Sequence, residues 1–313
     1  MAGTHPHRYR SPDEDSGRWS SLALRDGDIV VSSRSKHGTT WVQTICALLV
    51  HQCADLPAPL AQLSPWLDWL VEPLDTVVAR LDAQPHRRVV KTHTPLDGIP
   101  VDPRVTYVVV ARHPLDAAVS LYHQSANIHR ARLEQLTGRP VGSDDPRPPL
   151  REWLVSWIAS SADPRHRLDS LPGVLWHLGD AWRRRHAPNV VLVHYADLAA
   201  DRATEMRRLA RRLGIDVDAD RWPTLVEAAG FAAMRRRADR LVPDPAGVLR
   251  DRDRFFRRGT SGAGRALLDT TQYARYVERA AALAPPDLLA WLHREDPADP
   301  ADGPRRPAGS VGA

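Results

Sequence analysis

The sequence predicts an α/β fold of three layers, α/β/α, with a central parallel sheet. Two observations carry that prediction. Four short runs, Asp28–Ser33, Arg88–Thr92, Val105–Ala111 and Asn189–His194, are nearly continuous in valine and isoleucine, as expected of strands covered on both faces. Stretches with helical spacing separate them, and strand alternating with helix implies a parallel sheet with helices on either side. A third observation points to function. In such sheets ligands bind beyond the C-terminal ends of the strands, and three of the four runs end in an unusual polar cluster.

The 313 residues suffice for one large α/β domain. No internal repeat or linker divides the chain, so the expected organisation is a flexible leader over 1–25, one domain over 26–296, and a disordered Pro/Ala/Gly-rich tail over 297–313. With 42% hydrophobic and 26% charged residues the composition is that of a soluble globular protein. The net charge of +5 suits an anionic ligand. It does not argue for nucleic acid, because the basic residues are interleaved with acids. There is no secretory signal pattern and no apolar run long enough to span a bilayer, so the reading is cytoplasmic, without a membrane partner. Cys46 and Cys53 stand seven apart in one helical stretch, roughly 10 Å along the axis, too far to bridge, and read as core packing.

In chain order, the first strand leads into a helix over Gly38–Cys53. The third leads into a helix over Pro114–Gln124, with proline at its first turn. Helices over Val174–His186 and Leu198–Leu213 flank the fourth strand and end in arginines that suit the helix dipole. Between the first strand and its helix lies Ser32-Ser33-Arg34-Ser35-Lys36-His37-Gly38-Thr39-Thr40-Trp41. A strand, loop and helix in this order aim backbone N–H groups and the positive helix end at one spot, which is a ready phosphate site. It is not a Walker A loop, because the first glycine is missing and the lysine precedes the glycine. Helix capping accounts for Thr39 or Thr40, but not for Lys36 or Trp41.

Lys36 gains weight from a count. The chain carries 43 basic residues, and only Lys36 and Lys91 are lysine. Lysine is a compact point charge where arginine is a planar fork, so a chain this rich in arginine has kept lysine where arginine will not serve. Lys91 ends the second strand in Lys91-Thr92-His93-Thr94-Pro95, where burial is costly unless an anion is met. His93 lies two residues on, on the same face of an extended segment, and histidine is the usual proton acceptor near neutral pH. The third strand ends in Arg112, with Ser120 two turns into the following helix, and an arginine fork suits a second phosphate. Asp116 between them reads as structural. Near the C-terminus, Phe255-Phe256-Arg257-Arg258-Gly259-Thr260-Ser261-Gly262 sets adjacent arginines before a glycine-rich loop. No His/Cys/Asp cluster with metal-ligand spacing is present in the sequence.

Taken in order, these motifs resemble those of the cytosolic-type sulfotransferases that use 3′-phosphoadenosine 5′-phosphosulfate. The resemblance runs from about Asp26 to Trp291. Lys36–Trp41 is similar to that family's 5′-phosphosulfate loop, Lys91–Leu96 to its catalytic-histidine stretch, Arg112–Ser120 to its 3′-phosphate signature, and Phe255–Gly262 to its closing loop. The resemblance implies a P-loop-like, nucleotide-kinase-like architecture, with sulfuryl transfer to a hydroxyl or amine of a small-molecule acceptor and no metal. It implies His93 as base, Lys36 at the leaving oxygen and Lys91 on the sulfuryl oxygens. His37, Gly38, Thr39 and Thr40 would form the loop that holds the 5′-phosphate, and Arg112, Ser120, Arg257, Arg258 and Gly259 would hold the 3′-phosphate. Trp41, Tyr195 and Phe231 would enclose the adenine. A homodimer is left open. Three departures stand out: His37 where the family has serine, Ala229-Gly230 where it often has hydroxyls, and Gly262-Ala263-Gly264-Arg265 in the closing loop. From the residues alone, a P-loop-type phosphotransferase and a nucleotide-binding module without catalysis remain alternatives. Trp66, Leu67, Trp69, Leu70, Trp153 and Trp157 are candidates for the acceptor pocket wall, and equally for ordinary core.

Overall fold

The computed structural model describes residues 6–142, 147–257, 259 and 261–294. Strand β1 (Ile29–Ser32) pairs in parallel with β2 (Val89–Thr92) and with β3 (Thr106–Ala111), and β4 (Val190–His194) continues the sheet beyond β3. The order is β2-β1-β3-β4. Side chains alternate across it: Val30, Val90, Tyr107 and Val109 enter one hydrophobic cluster, while Ile29, Val31, Val89 and Val108 enter another. Both clusters are buried, which is why these strands read as continuous apolar runs rather than as alternating ones.

Helices α1 (Thr39–His51) and α4 (Arg202–Leu213) cover one face of the sheet. Helices α2 (Pro114–Ala126) and α3 (Leu171–Arg183) cover the other. The three-layer α/β/α architecture expected from the sequence is therefore present. The chain leaves β1 through α1 on one side and leaves the adjacent β3 through α2 on the other. Neighbouring strands whose exits diverge open a crevice at their C-terminal ends, and this one lies beside Lys36 and Arg112.

Local chemistry moved several boundaries. α3 starts earlier than expected because the Ser170 hydroxyl accepts from the Gly173 N–H at 3.1 Å, with Pro172 in the first turn. The helix expected over Leu198–Leu213 is broken at Asp201, whose extended backbone and carboxylate cap α4 through the Thr204 N–H at 3.0 Å. Cys46 is buried, as expected, but Cys53 lies past the end of α1 and is half-buried rather than core. The leader expected to be loose over 1–25 is packed through the part described here. Tyr9 and Trp19 are buried, Trp176 donates to the Tyr9 hydroxyl at 2.8 Å, and Asp15 pairs with Arg8 at 2.8 Å. Residues 1–5 and the tail expected over 297–313 lie outside the described residues.

The first two strands are also tied together at their N-terminal ends. Arg88, almost wholly buried, donates through Nε and Nη2 to both oxygens of Asp28, at 2.9 and 2.5 Å. Removing one member of a buried ion pair strands the other. Asp28→Ala leaves Arg88 with only the solvent-facing Asp82 as a charged partner. The loss should be about 3–5 kcal/mol and should lower Tm by roughly 10 °C in a thermal melt. An unchanged Tm would show that the pair contributes nothing.

Candidate active site

The loop between β1 and α1 is built on unusual backbone. Gly38 begins α1 at φ +106°, and a Cβ there would come within 3.0 Å of the Tyr195 ring. Glycine is thus required twice over, for the conformation and for the close approach. Lys36 also takes a positive φ, +68°, rare for a side-chain-bearing residue and maintained only where the surroundings enforce it. The Ser33 and Thr39 hydroxyls meet at 2.5 Å across the loop base. The first N–H groups of α1 have no partner within the helix and carry its positive end.

A single cavity of about 790 Å³ opens over the C-terminal edge of the sheet. It brings together Lys36 and Gly38 from the first loop, Thr39, Thr40 and Trp41 from the start of α1, Lys91 from β2 and His93 just beyond it. Arg112, Ser120, Tyr195, Phe231, Arg257 and Gly259 line the same space. The Arg112 guanidinium lies 4.4 Å over the Tyr195 ring and its Nη1 donates to the Lys36 carbonyl at 3.5 Å. Trp41 meets Tyr195 edge-on at 5.1 Å and donates from its indole nitrogen to the Ala229 carbonyl at 2.8 Å. Gly259, at φ +68°, leaves room for Phe231, whose ring a Cβ would meet at 2.7 Å. Arg258 lies outside the described residues. His37 is the exception among the expected contacts. Its side chain is buried beneath the loop, with Nδ1 within reach of the Arg34 and Ser35 carbonyls, and it does not line the cavity.

The electrostatics divide the cavity. Burial, and then the charges of Arg112 and Arg257, bring the Lys36 ammonium down to about 7. The charges acting on Lys36 are cationic, so this end of the cavity is made for an anion. Its Nζ meanwhile lies 4.1 Å over the Phe255 ring and donates to Gln124 at 3.3 Å. Lys91 is also held near 7, chiefly by burial, although Glu14 and Asp68 oppose the fall. Its Nζ sits 3.5 Å over the Trp66 ring. His93 donates from Nδ1 to the Ser33 carbonyl, which leaves Nε2 as the basic nitrogen. Burial, with Lys91 and Arg34 nearby, holds His93 well below its ordinary value and so neutral.

Beyond His93 the walls change character. Trp66 stacks on Trp69 at 4.7 Å and meets His93 edge-on at 4.5 Å. Trp153 and Trp157 line the same end, with Ile128, Leu133 and Val248, whereas Leu67 is fully buried core. The N-terminal segment adds Asp13 and Glu14, and the approach to α3 adds Asp169. Burial raises the Glu14 carboxyl to about 8. No motif marks these acids. They sit in stretches that read as a loose leader and an ordinary loop, and only tertiary packing carries them to the cavity.

The closing loop is fastened in a way its altered sequence does not suggest. Asp116 on α2 accepts from the backbone N–H groups of Gly262 and Gly264 at 2.7 and 2.8 Å. Gly264 has no alternative, because a Cβ there would lie 2.5 Å from the Leu115 backbone. The structural role expected of Asp116 thus reaches across the sequence to the loop that bears Arg257 and Gly259.

The fold and the cationic crevice define an α/β transferase. The chain belongs to the sulfotransferase-domain family, whose model matches residues 26–282. It is 44% identical to the glycolipid sulfotransferase of Mycobacterium bovis over 306 residues, 91% of this chain and 93% of that protein. Sulfotransferase 1A1 of the dog, Canis lupus familiaris, is 24% identical over 261 residues, 80% of each chain. Among solved structures, retinol dehydratase in complex with retinol and PAP superposes with a TM-score of 0.66 at 20% identity, covering 87% of this chain and 88% of that one. A mouse sulfotransferase complexed with PAP gives 0.63 at 18% identity, covering 86% and 88%. The protein is a sulfotransferase, and the fold is the one these neighbours share.

The lowered Lys36 gives a signed pH dependence. An anion bound against it favours the charged ammonium, so binding of adenosine 3′,5′-bisphosphate near pH 8 should take up about one proton. Affinity should weaken as pH rises above about 7. Calorimetry in two buffers of different ionisation enthalpy measures the uptake. Equal heats would mean that no lysine changes charge on binding.

Proposed function

We propose that the protein transfers the sulfuryl group of 3′-phosphoadenosine 5′-phosphosulfate to a hydroxyl or amine of a small-molecule acceptor, a glycolipid hydroxyl being favoured. The observation that carries this is the convergence on one cavity of Lys36, Arg112 and Arg257 with a neutral His93 whose Nδ1 is engaged by Ser33. A relative 44% identical over nearly its whole length is called a glycolipid sulfotransferase. The cavity's tryptophan end, where carboxylates meet an apolar wall, is suited to a molecule with a polar head and a hydrocarbon tail.

The residues present fit the donor. Thr39, Thr40 and the α1 N–H groups hold the 5′-phosphate, and Arg112, Ser120, Arg257 and Gly259 hold the 3′-phosphate. Arg258 stays in this set by its place in the sequence. Trp41, Tyr195 and Phe231 enclose the adenine, and His37 supports the loop from beneath. When bound, the donor supplies the sulfuryl group and a phosphate oxygen that leaves with the electron pair of the broken S–O bond. His93 takes the acceptor's proton on Nε2 as the new O–S or N–S bond forms. Lys36 faces the leaving oxygen and Lys91 the sulfuryl oxygens, so fixed positive charge meets the charge that develops. Positioning supplies the rest.

Two outcomes follow. Adenosine 3′,5′-bisphosphate should bind at least about tenfold more tightly than AMP, since AMP leaves the charge-assisted donors of the 3′ site unused. Equal calorimetric affinities would remove the 3′ assignment. In a donor-turnover assay His93→Asn should lose at least about two orders of magnitude while binding adenosine 3′,5′-bisphosphate normally. His37→Ser should remain active. The reverse pattern would place the base on the wrong strand.

A further inference from the structure

Arg34 stands two residues before Lys36, yet its side chain reaches away from the phosphate loop and is only 4% exposed. Nε and Nη2 donate to Oδ1 of Asp169 at 3.2 and 2.8 Å. Nη1 donates to the backbone carbonyl of His93 and lies 3.4 Å from Oε2 of Glu14. One guanidinium thus ties three separate walls of the cavity to the loop. The first is the N-terminal segment carrying Glu14, which forms a bridge with Trp69. The second is the end of β2. The third is the approach to α3, where the Asp169 carbonyl accepts from Trp157 at 2.8 Å and its carboxylate from the Ser35 hydroxyl at 3.3 Å. Immediately beside Arg34, the Ser33 carbonyl accepts a hydrogen bond from the His93 Nδ1–H. Consecutive residues therefore fix both the ring and the backbone of His93.

We propose that Arg34 is a positioning residue, which sets His93 and the acceptor side of the cavity in register with the phosphate loop. Burying a guanidinium is costly unless its donors are met. Here the fork meets two carboxylates and a carbonyl on three different segments, a task the single point of a lysine ammonium cannot perform. Transfer needs the acceptor oxygen, His93 and the donor in line, and an error of about 1 Å costs roughly a hundredfold in rate. Arg34 also contributes charge. Beside burial, the titratable and charged groups acting on His93 are Lys91, Arg34 and His177, each of which disfavours the protonated imidazole, while the Ser33 hydrogen bond opposes them.

The proposal rests on the reading of His93 as base, and the test separates the two. Wild type, Arg34→Gln, Arg34→Lys and Asp169→Asn are compared by calorimetry with adenosine 3′,5′-bisphosphate, by NMR titration of the His93 imidazole, and by turnover with octyl glucoside as acceptor probe. In Arg34→Gln the nucleotide Kd should stay within about threefold, while kcat falls at least about tenfold and His93 titrates at a higher pH. Arg34→Lys should restore the titration but not the turnover. Asp169→Asn keeps Arg34 in place while weakening its hold on one wall, at the cost of one Ser35 hydroxyl contact, so acceptor KM should rise about tenfold with nucleotide Kd within about threefold. It also decides the matter if Arg34→Gln does not fold. An unmoved His93 titration together with unchanged kcat and acceptor KM would overturn the proposal. So would a loss of nucleotide affinity as large as the loss of turnover. If wild type itself transfers nothing to the probe, the acceptor reading fails, while the NMR and calorimetric arms still decide the role of Arg34.

Discussion

The central place of β1 governs this molecule. It pairs in parallel with β2 on one side and β3 on the other, so three strand ends arrive side by side at one edge of the sheet. Because α1 leaves β1 on one face and α2 leaves β3 on the opposite face, a crevice opens between their starts. The positive end of α1, Lys36 and Arg112 all border that gap. Burial lowers Lys36 there, and the neighbouring charges of Arg112 and Arg257 lower it further. The sheet supplies the rigidity that keeps these charges from moving apart.

Burial does as much as charge. Lys36 and Lys91 both sit near 7 chiefly because they are buried, each resting against an aromatic ring. A ring face offers a cation partial compensation without a competing counter-ion. Among the described residues, Lys36 is therefore held by a ring face and the Gln124 amide rather than by a carboxylate. At the other end, Glu14 and Asp169 are drawn toward Arg34, so the cavity passes from a cationic end to a region of ion pairs and then to a hydrocarbon wall.

The parts legible in the sequence are those whose physics is local. Continuous valine runs announce buried strands, and the polar residues from Lys36 to Trp41 announce a loop that no cap explains. Lys91 and His93 are readable because two-residue spacing on an extended chain fixes a common face. What could not be read depends on distant partners. His37 looks like a ligand by position, but its ring turns beneath the loop toward the Arg34 and Ser35 carbonyls. Tyr9 and Trp19 sit among Arg, Ser and Asp residues whose composition suggests disorder, and their burial depends on surfaces supplied much later in the chain. Arg34 meets Glu14, His93 and Asp169 across 20, 59 and 135 residues of sequence, a convergence that no motif encodes.

The Asp116 clamp carries a consequence for the order in which the protein is made. The loop from Lys36 to Trp41 and Arg112 are made before Gly262 and Gly264, which Asp116 holds. All four strands, together with Lys36 and Arg112, precede that loop in the sequence. A chain made only as far as β4 still lacks the segment that brings Arg257 and Gly259 against Phe231. Until then the Asp116 carboxylate has no backbone N–H from that loop to receive. The lining of the cavity is therefore completed only when the later part of the chain has been made and Asp116 can bind it.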